Sequence, residues 1–552
     1  MSKTLIVGGV AGGATAAARL RRMDEQAEIV IFEKDEHISF ANCGLPYHIG
    51  GVIEDRENLL LQTPASFNRR FNVDVRVFSK VMAINRSDKT VSVQNIATGE
   101  SYKETYDTLI LAPGGKPVVP PVPGIESEGV FTLRNMADTD KIVEYIQKRK
   151  PKNAVVIGGG YIGVEMVDNL MHRGLEVSLV QRPNQVISPL DFDMACDVHH
   201  YLRSKGVALY LSNGVTAIVP AGDAMRIELS GGVLVADMVI VAVGVKPDSG
   251  LAQTAGLALS EKGGIKVNQY MQTSDSSIYA VGDAVEITDL VTGQPAIIPL
   301  AGPANKQARM VADHICGRES RYKGTQGSAI LKVFDMTVAT TGMNEKTAAR
   351  CGIDYDKVYA WLPGHAGYYP GTKPLSIKAL YEKDSGKILG AQVVGFDGVD
   401  KRCDLLAVAI RTGLTAGELT ELELCYAPPF SSAKDPVNMI GYMISNVLDG
   451  LVKNYHWDEV AALPRDGSVT LLDVRTPAER ATGAVEGFMH IPVDELRERM
   501  GEVPEGKPVY IHCHSGLRSY IAARILSQNG YDTYNLSGGF RLYNSVISEQ
   551  NR

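Results

Sequence analysis

The sequence predicts a multidomain α/β protein, and three observations carry that reading. A Gly-rich turn joins an apolar strand to a helix twice, at Gly8–Gly13 and again at Gly158–Gly163. From about 325 to 446 the pattern changes to half-buried alternation and one amphipathic helix, as in an α+β segment. The remainder, from about 460, returns to short apolar strands around a cysteine loop. A chain of 552 residues suffices for about three to five domains.

Composition narrows the function classes. Apolar residues make up 45% and charged ones 22%, an ordinary soluble balance. A net charge of -7 without a basic stripe argues against nucleic acid as a partner. Seven scattered cysteines without a C-x-x-C pair suggest a reducing, cytoplasmic setting rather than a disulfide framework. No apolar run approaches the ~20 residues that span a bilayer, so no membrane partner is expected. The run Leu5–Ala18 is interrupted by Gly8, Gly9, Gly12 and Gly13, and followed by Arg19, Arg21 and Arg22. That fits a strand, turn and helix better than an export signal. No metal site is expected.

Thr4–Val7 is a buried strand, Gly8–Gly13 the turn, and the Ala-rich run through Leu20 a helix. Glu28–Glu33 is a second strand ending in an acid, which completes a Rossmann-like dinucleotide fingerprint. The helix N-terminus offers N–H groups and a positive dipole end to a pyrophosphate. Glu33 would accept from ribose hydroxyls. The middle glycine of G-x-G-x-x-G is Val10 in this copy.

The second copy matches fully, with Gly158, Gly160 and Gly163 after the strand Ala154–Ile157, and Glu165 in the helix. Its second strand, Glu176–Val180, ends at Gln181, in the place of Glu33. A neutral amide followed by Arg182 removes the carboxylate that would repel a 2′-phosphate, so NADPH should be tolerated beside NADH. Arg182 pointing only into solvent is the competing reading.

Two loops imply two dinucleotides. Further apolar strands with Gly/Pro stops lie at Thr108–Gly115, including Pro113 and Gly114, and at Met238–Pro247; Thr273–Ala284 contains Gly282-Asp283. These segments resemble the pyridine nucleotide-disulfide oxidoreductases. The resemblance implies a split FAD domain at 1–113 and 248–320, with Asp283 on the ribityl chain. It also implies an NAD(P)H domain at 114–247, and a dimerisation domain at 325–446 through which a homodimer completes each active site.

The chemistry centres on Ser39-Phe40-Ala41-Asn42-Cys43-Gly44-Leu45-Pro46-Tyr47. Most disulfide reductases of the family use C-x4-C, whereas position 48 is His48. A single thiol must store its oxidised state as a sulfenic acid or as a mixed disulfide with a small thiol. The stretch resembles the coenzyme A-disulfide reductase branch. That branch implies a Cys43–CoA mixed disulfide, with Tyr368 preferred over Tyr369, and Tyr426, as active-site tyrosines. A flavin NADH oxidase or peroxidase using a Cys43 sulfenate is a rival, weakened by Val10-Ala11 where that branch has a histidine.

Coenzyme A carries phosphates, so a basic site is expected. Arg19 and Arg22 lie one turn apart on the first helix, Arg69 and Arg70 further on, and Ser39 and Asn42 could bind its amides. At the C-terminus, Asp473-Val474-Arg475 with Glu479, and Cys513 and Arg518 in a C-x4-R loop, resemble a rhodanese domain at 460–552. That resemblance implies sulfane sulfur carried on Cys513 in a nest of N–H groups. Phosphatase loops of this kind are one residue longer. A sulfurtransferase or sulfur-relay protein is the remaining rival. The cysteines at 196, 316, 351, 403 and 425 are expected to be structural, with Cys425 a partial exception because it adjoins Tyr426.

Overall fold

The structure, a computed structural model, describes residues 2–552. It divides into two compact units: the chain up to Val186 with Gly206–Gly327, and Ile187–Lys205 with Ser328–Arg552.

The first unit contains the two Gly turns in two parallel sheets of the same plan. In one, the strand order is Ile278–Ala280, Thr108–Leu111, Lys3–Val7, Glu28–Phe32, Asp74–Arg76. In the other it is Val130–Phe131, Met238–Val241, Asn153–Ile157, Glu176–Val180, Ala208–Tyr210. The strand before each Gly turn is therefore central. Both central strands are apolar and buried, as a sheet covered on two faces requires. Each sheet is accompanied by a three-stranded antiparallel sheet, Ser79–Thr105 and Val215–Ala236. Ile278–Ala280 pairs with Thr108–Leu111, so segments on both sides of the second sheet share the first one. The short strands Gly115–Pro117 and Val245–Pro247 pair antiparallel where the chain passes to the second sheet and returns.

The second unit holds a five-stranded antiparallel sheet, in the order Ala329–Val333, Met336–Gly342, Ile388–Gly395, Pro374–Glu382, Tyr355–Pro363. Phe334 lies in the hairpin turn between the first two of these strands, with a left-handed φ of 54. The amphipathic helix expected in this segment runs Val399–Thr412, bounded by Gly398 at φ 65 and Gly413 at φ 76. A parallel sheet follows, in the order Lys453–Tyr455, Thr533–Leu536, Val509–His512, Thr470–Asp473, Met489–His490. It takes in residues upstream of the expected start at 460. Lys453–Tyr455 reads as polar, but as an edge strand it needs only Tyr455 inside, and Tyr455 is 1% exposed.

A second departure concerns 187–205, expected within the nucleotide domain at 114–247. Its helix, Phe192–Ser204, belongs to the second unit because its polar side chains find their partners there. Asp193 accepts from Lys378 Nζ at 2.8 Å and Trp457 Nε1 at 3.1 Å. Asp197 pairs with Arg541 at 3.0 Å, and Arg203 with Glu549 at 2.5 Å. Among the described residues no helix is long and apolar enough to cross a membrane.

Glu549 is 3% exposed in its side chain. Burial pushes its carboxyl up, but hydrogen bonds from His199 and Arg203 outweigh this and hold it at about 2. Its folded value is therefore depressed. The stability it contributes is complete above the ordinary carboxylate range and is lost as pH falls through that range toward about 2. Glu549→Gln should cost roughly 2 kcal/mol at neutral pH, less than a fully buried pair because Arg203 keeps some solvent. Chemical denaturation of wild type and variant should show that gap closing as the pH is lowered into the acid range.

Candidate active site

The two Gly turns are built alike. Gly8 has φ 97 and Gly158 φ 108, conformations that L side chains rarely adopt. A Cβ on Gly13 would meet Gly8 O at 1.8 Å, and one on Gly163 would meet Gly158 O at 1.9 Å. These contacts bring helix onto turn. Gly12 packs against Val281, its Cβ position 2.9 Å from a methyl. Val10 and Gly160, in matching places, have φ -97 and -78. A side chain is therefore tolerated at Val10, which explains the departure from G-x-G-x-x-G.

The strand-end side chains also match. Glu33 Oε2 accepts from Gly9 N at 2.9 Å, and Gln181 Oε1 accepts from Gly159 N at 2.9 Å. Burial raises the Glu33 carboxyl, while the N–H groups of Gly9 and Asp35 oppose the rise. Arg182, beside Gln181, is exposed. Pro113 O accepts from Arg134 Nη2 at 3.0 Å, and Gly114, at φ 71, accepts at its carbonyl from Asp248 N at 2.9 Å. Asp283 lies in a short 3-10 turn, Gly282–Ala284, whose Gly282 N donates to Gln307 Oε1 at 2.8 Å. Both cradles fit a dinucleotide. The position of a Cβ on Gly160, at the start of the helix Tyr161–His172, meets nothing within 4 Å.

The cysteine stretch is tied to the first turn. Ser39 N donates to Gly9 O at 2.9 Å, and Ser39 takes a left-handed φ of 46, uncommon outside glycine. Ala41 N donates to Leu59 O at 2.8 Å. Cys43 follows in the 3-10 turn Asn42–Gly44, which runs into the helix Leu45–Gly50. Cys43 and Asn42 are exposed. His48, at the place of a second thiol, is turned inward, with Nδ1 2.7 Å from Ile53 O. All seven cysteines are free thiols.

The electrostatics around Cys43 bring together residues far apart in sequence. Desolvation raises its thiol, and the nearby carboxyls of Glu165 and Asp283 raise it further. Tyr47 Oη donates to Glu165 Oε1 at 3.4 Å. Burial, then Glu165, push Tyr47 up to about 12, and burial lifts Glu165 to about 7. Sequence reasoning noted Glu165 without giving it a role. Its only local signal is its place two residues after the second Gly turn.

Of the expected basic residues, Arg22 and Arg70 are exposed, whereas Arg19 is bound to Asp313 at 2.6 Å. Arg21, buried, instead donates to five backbone carbonyls, including Phe71 O and Asn72 O.

In the second unit the two tyrosines chosen from sequence meet. Tyr368 Oη and Tyr426 Oη are 2.8 Å apart, both exposed, while Tyr369 packs edge-on to His365. Their loops are joined by Ala366 N, which donates to Ser431 O at 3.0 Å. Arg402, fully buried, donates to Ser431 Oγ and Asp435 Oδ2, each at 3.0 Å, and so anchors the turn after Tyr426. No local pattern in the sequence points to this ion pair.

Cys513 is fully buried at the end of Val509–His512, before the helix Leu517–Ser527. Its Sγ accepts from Gly516 N at 3.1 Å and Ser519 Oγ at 3.3 Å. Arg518 makes a two-pronged pair with Glu479, at 2.7 and 2.6 Å. Arg475 likewise grips Asp473.

Known proteins are similar to this chain along nearly its whole length. Residues 2–308 match the family model for pyridine nucleotide-disulphide oxidoreductase, 328–436 its dimerisation domain, and 456–545 a rhodanese-like domain. A coenzyme A disulfide reductase of Staphylococcus aureus is 40% identical over 80% of this chain and 99% of its own. The reduced Bacillus anthracis CoADR-RHD is 53% identical, with a TM-score of 0.97, over 99% of this chain and 98% of its own. An NAD-dependent persulfide reductase from A. fulgidus is 40% identical, with a TM-score of 0.91, over 98% of this chain and 99% of its own.

Two glycine substitutions separate folding from binding. Gly163→Ala should lower the melting temperature by several degrees or prevent folding, since its Cβ would lie 1.9 Å from a carbonyl oxygen. Gly160→Ala should change stability by no more than about 0.5 kcal/mol. It should nevertheless weaken NAD(P)H binding in a fluorescence titration, and an unchanged affinity would contradict the assignment of this cradle.

Proposed function

The chain belongs to the pyridine nucleotide-disulphide oxidoreductase family, and from that premise we propose a single-cysteine reductase that uses FAD and NAD(P)H. Its substrates are CoA persulfide, polysulfide or CoA disulfide, and its rhodanese domain carries sulfane sulfur on Cys513. One observation carries the reading: a lone exposed thiol is held by a backbone hydrogen bond against the first dinucleotide turn, with an inward-facing His48 where a resolving cysteine would stand. The relatives named coenzyme A disulfide reductase and persulfide reductase support the substrate class.

Gly8, Gly12, Gly13, Glu33, Pro113, Gly114 and Asp283 would hold FAD, and Gly158, Gly160, Gly163, Gln181 and Arg182 the nicotinamide nucleotide. When bound, the flavin supplies the electron pair, drawn from the nicotinamide, that a disulfide needs to return to two thiols. The chain's own contribution is the capture of sulfur. The Cys43 thiolate attacks the inner sulfur of CoA–S–S–H, the S–S bond breaks, and HS⁻ leaves with the electron pair. With CoA disulfide the same attack expels CoA–S⁻. Either way Cys43 is left joined to CoA, and no free sulfenate is needed.

Glu165, with a carboxyl near neutrality, can take up the Cys43 proton within the same unit. Tyr368 and Tyr426, as a hydrogen-bonded pair, would give a proton to the departing sulfur in a homodimer whose subunits complete one another's sites. Ser39, Asn42, Arg22 and Arg70 would bind the CoA arm and phosphates. The half-buried pair Arg19–Asp313 would have to open before Arg19 joined them.

Cys43→Ser should abolish NAD(P)H-dependent sulfide and CoA release while retaining sulfur loading on Cys513. Cys513→Ser should do the reverse. Anaerobic NAD(P)H oxidation with sulfide and CoA measured together checks both. Full reductase turnover in Cys43→Ser would refute the reading.

A further inference from the structure

The Cys513 loop sits beside a cavity of about 430 Å³, lined by Glu479, Thr482, His514, Phe540, Arg541 and Asn544. One cation, Arg541, lines this cavity, a second, Arg518, is bonded to its lining residue Glu479, and each is already neutralised. Arg518 donates through both terminal nitrogens to Glu479, at 2.7 and 2.6 Å. Glu479 is itself fixed by Thr476, whose N and Oγ1 each donate to Oε2 at 3.0 Å. Arg541 pairs with Asp197 at 3.0 and 3.1 Å, and Asp197 also accepts from Ser545 Oγ at 2.8 Å. His514 is held neutral by burial, which lowers its pKa. The cavity therefore offers no uncompensated positive side chain. The loop's N–H groups suit one negatively charged sulfur, but not a second pair of charges beside it.

We propose that Glu479, by occupying Arg518, makes the Cys513 site select a sulfur donor that is uncharged around the reacting atoms, an organic persulfide, over a dianion such as thiosulfate. This deepens the reading above and rests on Cys513 carrying sulfane sulfur. The Cys513 thiolate attacks the outer sulfur of R–S–S–H. The S–S bond breaks, the electron pair departs on R–S⁻, and Cys513–S–S–H forms with its proton retained on the transferred sulfur. No net oxidation occurs. With thiosulfate the same attack would have to expel a sulfite dianion, and no free cation stands at the cavity to receive it. Phe540 and Asn544 offer an apolar wall and an amide to the R group instead.

The test loads the FAD-containing full chain, without NAD(P)H, and follows the persulfide on the Cys513 peptide by mass spectrometry. The donors are thiosulfate and the persulfide of N-acetylcysteamine, an uncharged thiol. Wild type should load from the organic persulfide at least about tenfold faster. Glu479→Gln keeps the amide oxygen that Thr476 N can bond and releases Arg518, so it should narrow the ratio by raising the thiosulfate rate. A conservative Glu479→Asp, which keeps the charge, should retain the wild-type preference. Equal rates in wild type, or a ratio unmoved in Glu479→Gln, would overturn the proposal while leaving Cys513 a sulfur carrier. Loading from neither donor would overturn the carrier reading as well.

Discussion

The structure depends on one close approach of backbone to backbone. At Gly8 a Cβ would lie 2.2 Å from Ala112 O, so the first turn and the strand end at Thr108–Leu111 are in direct contact. Immediately beside it, Gly9 O receives Ser39 N and Gly9 N is received by Glu33. One dipeptide thus fixes three things: the end of the central strand, the acid of the neighbouring strand, and the loop that presents Cys43. A Cβ on Gly9 would lie 2.5 Å from an Ile38 methyl, so the thiol loop packs where no side chain fits. The placement of the lone thiol follows from glycine sterics rather than from any interaction of the sulfur itself.

Much of this was legible in the sequence because dinucleotide binding leaves a local mark. The turns, their flanking strands and the acid or amide about 20 residues later lie within one supersecondary unit, where spacing converts directly to geometry. The tyrosine pair was legible in a different way, through resemblance: nothing local joins Tyr368 to Tyr426, 58 positions away, yet their hydroxyls meet. What could not be read were long-range buried ion pairs. Arg402 with Asp435 and Lys378 with its carboxylates join residues well apart in the chain, and such pairings carry no periodic signal. The partners of the helix 192–204 are hidden from the sequence for the same reason. Its sequence places it between two strands of the nucleotide sheet, while its charged partners lie hundreds of residues onward.

The Lys378 cluster shows how charge balance decides what a site is. Asp191, Asp193 and Glu345 present carboxylate oxygens within 4.8 Å of one another, a spacing suited to a metal ion. The Lys378 ammonium fills that position, at 2.9 Å from Asp191 and 2.8 Å from Asp193. Burial works against its charge, but Asp193, Asp191 and Glu345 outweigh it and keep it protonated. Tyr359 and Trp457 add donors to Asp193, so the cluster ties the antiparallel sheet to the start of the rhodanese-like segment. It is a structural joint rather than a ligand site. Removing the lysine alone would leave three like charges together in the interior, which is far costlier than losing one contact.

The same reasoning bears on how a single thiol can work under the proposed function. A thiol raised by desolvation and by two carboxyls yields less thiolate at neutral pH, which would count against Cys43 if nucleophile supply alone mattered. Exchange also depends on which sulfur departs, and the sulfur of lower pKa leaves faster. In a mixed disulfide between Cys43 and a solution thiol, the surroundings of Glu165 and Asp283 disfavour negative charge on Cys43. Under the proposed function, electrons entering that bond would therefore be directed so that the small thiol departs as the anion and Cys43 ends protonated, with Glu165 as the group that would exchange its proton. A two-cysteine reductase achieves that direction by having its second thiol displace the first. In this chain, where position 48 is an inward-facing histidine, the asymmetry of charge around one sulfur would take over that task under the proposed function.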